Sequence, residues 1–216
     1  MGIEKNLSDY NDYVFKDGKL VGEFEQMYQK ASVTPWRQDE ARGRWFNQVS
    51  VAIVGRALED KAVKDILEVN CGIGFFLSNF LEMGINLTGT DISPTAISQA
   101  KQKFPNINFF VDDIRCKKNR DVYGMVLVSS LFWYIFDHID IVLDNLAELV
   151  MPNGYLFVVE CFPLLDKQFI GKEVIPDPDA LVTYLSESFE TVVDGRIMRS
   201  EYPNDGPIFY WLGRKK

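Results

Sequence analysis

The stretch Ile66–Phe76, reading I-L-E-V-N-C-G-I-G-F-F, restricts the fold of this chain more than any other. An apolar pair runs into an acidic residue, then into a turn bearing Gly72 and Gly74, then into an apolar helical pattern. That order describes a parallel strand ending at a glycine-rich turn, with a helix starting beneath a nucleotide. Glycine suits such a turn because a missing Cβ frees the backbone dihedrals and lets a ligand come close. Downstream residues then read as the rest of a nucleoside-binding sheet, and upstream residues as its cover.

From Asp65 onward strands and helices alternate, which predicts parallel βαβ units. The expected strands are 65–69, 87–90, 107–111, 123–128, 155–160, 189–193 and 208–212. The expected helices between them are 75–83, a helix capped by Ser93-Pro94 that buries Ile97, Ala100 and Phe104, then 139–150 and 180–186. Pro152-Asn153-Gly154 predicts a turn, as does the stretch 203–206. Upstream, residues 1–19 are polar and predict no element. Leu20, Val21, Phe24, Met27, Tyr28 and Ala31 recur at helical spacing, and Thr34-Pro35-Trp36 ends that helix. A second helix, capped by Asp39, would carry Trp45, Phe46, Val49, Ile53 and Leu58. The expected organisation is a helical cap or lid over 1–60 and a Rossmann-like domain over 61–216.

Composition narrows the partners. A net charge of −8 without a lysine or arginine block disfavours nucleic acid. Cys71, Cys116 and Cys161 show neither metal-ligand spacing nor a disulfide framework, so no metal is expected. The N-terminus lacks a signal-peptide pattern, and the most apolar run, 125–136, is too short to span a bilayer. A cytoplasmic protein without a membrane partner is the expectation; nothing in the sequence fixes an oligomeric state.

The chemistry sits at the carboxyl ends of the first three strands, where open α/β sheets bind ligands. Gly72 and Gly74 come first. Asp91 closes the second strand, where a carboxylate can accept both ribose hydroxyls. Asp112 and Asp113 close the third, where a carboxylate can accept from an adenine amine. Leu77 stands where a dinucleotide site wants a third glycine, and Phe75-Phe76 would crowd a diphosphate. Glu68 would repel phosphate but suits an amino group. Charge therefore favours S-adenosylmethionine over NAD, with a nicotinamide-dependent oxidoreductase as one rival and a non-catalytic cofactor-binding module as another.

E-V-N-C-G-I-G, L-T-G-T-D-I-S and F-F-V-D-D-I together resemble the class I S-adenosylmethionine-dependent methyltransferases, and M-P-N-G-Y-L resembles the turn before their fifth strand. The resemblance implies a doubly wound, mostly parallel α/β sheet of seven strands, order 3-2-1-4-5-7-6, with strand 7 antiparallel. It implies that Gly72 and Gly74 approach the cofactor, Asp91 binds ribose, and Asp113, beside Asp112, contacts adenine between Ile92 and Ile114. Glu68 matches the acidic position of the first motif, and Asn70 replaces its usual first glycine. A narrower resemblance, carried by F-E-Q-M-Y-Q, T-P-W-R and S-S-L-F-W-Y-I, is to the nodulation S type of N-methyltransferase; it implies a lid that includes Trp36.

The expected acceptor is a small molecule methylated on nitrogen or oxygen. Its pocket would lie over the fourth and fifth strand ends, at Ser129, which also borders the cofactor, Ser130, Trp133, Tyr134, Glu160 and Phe162. Trp133 or Tyr134 would face a cation through the ring, or else simply pack the following helix. Tyr134, His138 and Glu160 are the candidate catalytic residues, each with an alternative: packing for Tyr134, a surface or capping residue for His138, a solvated strand end for Glu160. Cys71 reads as packing. Arg42 and Arg44 would reach the cofactor carboxylate or decorate a helix face.

Overall fold

The computed structural model describes residues 11–43, 45–118, 121–164, 169–198 and 206–216, and leaves undescribed the side chains of 11, 41–43, 45 and 46. It opens with a small hairpin, β1 (Phe15–Lys16) and β2 (Lys19–Leu20), turned by Asp17-Gly18 with φ of +50° and +72°. Asp-Gly favours a two-residue hairpin turn because both positions need positive φ. This element stands where no structure was expected. It also takes Leu20 out of the helix, so that α1 spans only Phe24–Lys30. Residues 35–43 form tight 3₁₀ turns kinked at Trp36 and Arg37, both at φ +51°. Asp39 lies inside those turns and does not cap the next helix, α2 (Trp45–Ala57).

The alternating region follows as β3 (Asp65–Val69), β4 (Asn86–Asp91), α3 (Pro94–Lys103), β5 (Asn108–Val111), β6 (Tyr123–Ser129), α4 (Ile139–Leu149), β7 (Val150–Cys161), α5 (Pro178–Leu185), β8 (Phe189–Ile197) and β9 (Ile208–Lys215). Their sheet runs β5-β4-β3-β6-β7-β9-β8, which is the expected 3-2-1-4-5-7-6. The strand β9 pairs antiparallel with both neighbours, and all other pairs are parallel. Two details differ from expectation. The strand β7 begins at Val150 and absorbs Pro152-Asn153-Gly154, with a register shift against β6 between Tyr123 and Met125. The segment after β3 is a 3₁₀ helix over Leu77–Met83, not an α-helix from Phe75. The expected turn over 203–206 falls, up to Asp205, outside the described residues.

Alternation along the strands builds two cores. Val126, Val128, Leu156 and Val158 face α4 and α5 through Val142, Leu146, Leu181 and Leu185. Met125, Leu127 and Phe157 face the other way, toward Val54 and Ala57 of α2 and Phe80 and Ile97. The helix α2 is therefore a covering layer of the sheet. A third cluster joins Val14, Met27 and Tyr28 to Ile73, Phe75 and Ala96. So it is residues 11–43 that lie over the carboxyl ends of the strands. No described helix is long and apolar enough to cross a membrane.

Candidate active site

The turn after β3 is held in the left-handed region at three places: Asn70 (φ +62°), Gly72 (φ +54°) and Gly74 (φ +83°). Asparagine is among the few side-chain-bearing residues that enter this region, because its short amide tolerates the geometry. Asn70 thus does the backbone work of the glycine it replaces. The turn is anchored to β4: Cys71 N–H donates to Thr90 O at 2.9 Å, and Gly72 N–H to Asp91 Oδ2 at 2.9 Å. The other Asp91 oxygen accepts Ser93 N–H at 2.9 Å. Burial pushes the Asp91 carboxyl up to about 6, opposed by these two N–H donors.

At the end of β5, Asp112 N–H donates to Asp91 O at 3.0 Å, and the Asp112 side chain pairs with Lys118. Asp113 is gripped by Arg115, with Nε 2.9 Å from Oδ1 and Nη2 2.8 Å from Oδ2. That hydrogen bonding holds its carboxyl below the usual range. A cavity of about 210 Å³ opens here. Its floor is Val69, Asn70, Asp91, Ile92 and Asp112–Arg115; its roof is Leu20, Val21, Gly22 and Phe24 of the cap. Leu131, Tyr134, Ile135 and Asp137, from the loop after β6, close the side. Asn70, Asp91, Ile92, Asp112, Asp113, Ile114 and Tyr134 all border this one cavity.

These residues suit a nucleoside better than a dinucleotide. The Asp91 carboxylate, Ile92 and Ile114 border the cavity together, a polar acceptor beside apolar walls. A pyrophosphate would need free N–H groups at a helix start. Here the segment is a 3₁₀ helix, and Leu77 N–H is already taken by Glu68 Oε2 at 3.0 Å. Residues 67–156 match a family model described as a methyltransferase domain. By that match the chain carries a methyltransferase domain, similar to those of S-adenosylmethionine-dependent enzymes.

Among its relatives, nodulation protein S of Sinorhizobium fredii is 26% identical over 159 residues, 71% of this chain and 68% of the relative. Malonyl-[acyl-carrier protein] O-methyltransferase 1 of Ilyobacter polytropus is 33% identical over 95 residues. That match covers 42% of this chain but only 35% of the relative. In fold, the chain resembles the crystal structure of the N-methyltransferase NodS from Bradyrhizobium japonicum WM9 in complex with S-adenosyl-L-homocysteine. The TM-score is 0.70 at 19% identity, covering 88% of this chain and 97% of that one.

Several expected site residues of the methyltransferase do other work. Glu68 is 2% exposed, lies beneath the turn off the cavity, and grips Leu77 N–H; burial pushes its carboxyl well up. It is a strut of the turn, not a partner lining the cavity. Gly74 is glycine for packing, since a Cβ there would sit 2.6 Å from the Phe109 ring. At Gly72 a Cβ would meet the cap's Gln38 carboxamide at 2.5 Å and the Tyr28 hydroxyl at 2.7 Å. Ser129 ends β6 but does not line the cavity. Trp36 also stays off it, packed against Phe24, Tyr28 and Tyr134.

The expected acceptor-side residues are dispersed likewise. Trp133 turns into the core, its Nε1 donating to Cys161 O at 2.9 Å and its ring edge-on to Phe162 and Phe169. Tyr134 alone of that pair meets the cavity, edge-on to Phe24 at 5.3 Å. His138 is half exposed and lies off the cavity, 3.9 Å from Asp137. Glu160 is fully buried and off the cavity too, accepting Phe132 N–H and Cys161 N–H, each at 3.1 Å. Burial pushes it up to about 8. Its work is to tie the loop after β6 to β7. Cys71 is buried with its thiol pushed up by burial, as suits packing. Arg44 and the side chain of Arg42 lie outside the described residues.

Sequence reasoning missed Arg115, Asp137 and the hairpin roof. The D-D-I-R order was visible, but a charged side chain two residues past an aspartate has many possible partners. It also missed Glu25, which reaches from α1 to α3. Glu25 accepts Ser93 Oγ–H at 2.5 Å, Thr95 N–H at 3.1 Å and Thr95 Oγ1–H at 2.6 Å.

Proposed function

We propose that this methyltransferase acts on a neutral nitrogen or oxygen nucleophile of a small molecule, with an amine favoured over a carboxylate. The observation that carries this is the charge of the cavity. Asp91, Asp112, Asp113 and Asp137 line it against one cation, Arg115, which Asp113 already holds. A carboxylate acceptor would enter that field against repulsion, whereas an amine is drawn to it.

In this proposal Asp91 accepts the ribose hydroxyls, Ile92 and Ile114 flank the base, and Arg115 keeps Asp113 fixed at its edge. S-adenosylmethionine supplies an electrophilic methyl group on a sulfonium. The chain's own contribution is alignment and exclusion of water, through the hairpin roof and the Tyr134 loop. Alignment alone can lower a barrier by about 7–11 kcal/mol at best. An amine needs only to lose its proton to solvent before reacting, so a dedicated base is not required. That fits a site from which His138 and Glu160 are absent.

The proposal extends to residues 11–43 acting as a lid, supported by the third apolar cluster. It extends also to a cytoplasmic setting without a nucleic-acid partner, supported by free described cysteines and the acidic net charge. The test is a screen of amines, alcohols and carboxylic acids with isotopically labelled cofactor, read by mass spectrometry. Label should appear on amines; turnover confined to carboxylic acids would overturn the acceptor assignment.

A further inference from the structure

The cavity and the glycine turn are not one continuous space. The cavity ends at Asn70, and the ground above Gly72 is taken by the protein itself. Gln38, from the 3₁₀ segment of the cap, places its Oε1 3.0 Å from Ile73 N and accepts that N–H. Its Nε2 donates to the Tyr28 hydroxyl at 3.0 Å. Tyr28 is buried, and burial holds its hydroxyl protonated far above the ordinary range. Both groups stand so close over Gly72 that even a methyl group would collide with them.

We propose that Gln38 is a specificity-determining residue for the cofactor, holding in competition the turn N–H and the space that the amino-acid end of S-adenosylmethionine takes. The inference rests on the cofactor assignment above and goes beyond it. About 210 Å³ is small beside the 300–1,000 Å³ usual for ligand pockets. The nucleoside part has its carboxylate and apolar walls within that volume. The amino-acid part has no room there; in the turn beyond Asn70 the Cys71, Gly72 and Gly74 N–H groups are paired within the sheet and turn, and the Ile73 N–H that could donate to its carboxylate is held by Gln38. A carboxamide oxygen is a neutral mimic of a carboxylate oxygen, so the exchange of one for the other keeps the Ile73 N–H satisfied throughout. Swinging Gln38 aside costs two hydrogen bonds. Ligands with an amino-acid end recover that loss, and ligands without one leave Gln38 where it stands.

The test is calorimetry with two probes, S-adenosylhomocysteine, which carries the amino-acid end, and 5′-methylthioadenosine, which lacks it. Gln38→Ala removes the competitor and should tighten S-adenosylhomocysteine binding by roughly three- to ten-fold, the worth of one neutral hydrogen bond. Gln38→Glu puts a carboxylate on the same N–H and should weaken S-adenosylhomocysteine by ten-fold or more through like-charge competition. Binding of 5′-methylthioadenosine should stay within two-fold in both variants. Equal changes for the two probes, or weakening of S-adenosylhomocysteine in Gln38→Ala, would overturn the inference and leave the cofactor assignment standing. Failure of the unaltered protein to bind either probe would overturn that assignment and the inference with it.

Discussion

Asn70 illustrates how a residue with a side chain can hold a turn position in the left-handed region. Its φ of +62° needs a residue that tolerates the left-handed region. Asn70→Ala should therefore cost about 1–2 kcal/mol, while Asn70→Gly should cost little, as urea denaturation would show. Glu160 gives a pH effect of opposite sign to the usual carboxylate. Its folded-state value is pushed up to about 8 from an ordinary 4.5, so the folded protein holds the proton that the unfolded chain releases. Stability from this group is full below about 4.5 and lost as pH rises toward about 8. Glu160→Gln should flatten stability over that window in denaturation at several pH values; an unchanged slope would refute the assignment. At this scale the sequence was only partly legible. Asp91 was plain from its place after a strand. Glu68 lies off the cavity, and the pattern held that: period-two alternation puts it on the Ile66 face, while Val69, on the opposite face, lines the cavity.

Between elements, the firmest polar tie of the cap is Glu25 of α1 to the start of α3. Ser93 and Thr95 hydrogen bonds draw the Glu25 carboxyl below its ordinary range, although burial alone would raise it. The tie is therefore complete above the ordinary glutamate value and fades as pH falls through the lowered one. Glu25→Ala should speed amide exchange in α1 and the hairpin at neutral pH, with protection in β3 and β6 unchanged. The expected loss of stability is about 1 kcal/mol. Uniform loss of protection across the sheet would contradict a local tie. Sequence periodicity located α3, α4 and α5 well, because each has a cap or a clean apolar face. It could not see the hairpin, whose strands are two residues each, one of the two a lysine. Nor could it tell 3₁₀ from α after β3, since the apolar spacing of so short a segment suits both.

Over the whole molecule, the strands were readable because parallel strands covered on both faces are near-continuous apolar runs, whereas their order came only with the family resemblance. The strand β6 shows it best: Gly124–Val128 are all buried. Leu127, fully buried between helix and strand, should cost 2–5 kcal/mol when cut to alanine, roughly the cost of a residual cavity, as thermal or chemical unfolding would show. What the pattern could not supply was how the N-terminal residues divide. The helix α2 carries an apolar face like any covering helix, while residues 11–43 lie over the strand ends through contacts far apart in sequence.

One chain of hydrogen bonds spans that division: Glu25 to Ser93, Ser93 to Asp91, Asp91 to Gly72. Linkage makes such a chain work in both directions with equal strength. Whatever ligand strengthens this chain by binding at Asp91 tightens residues 11–43 against the sheet by the same free energy. A protease that cuts only the opened segment would thus serve as a gauge of ligand concentration, its rate falling as the site fills.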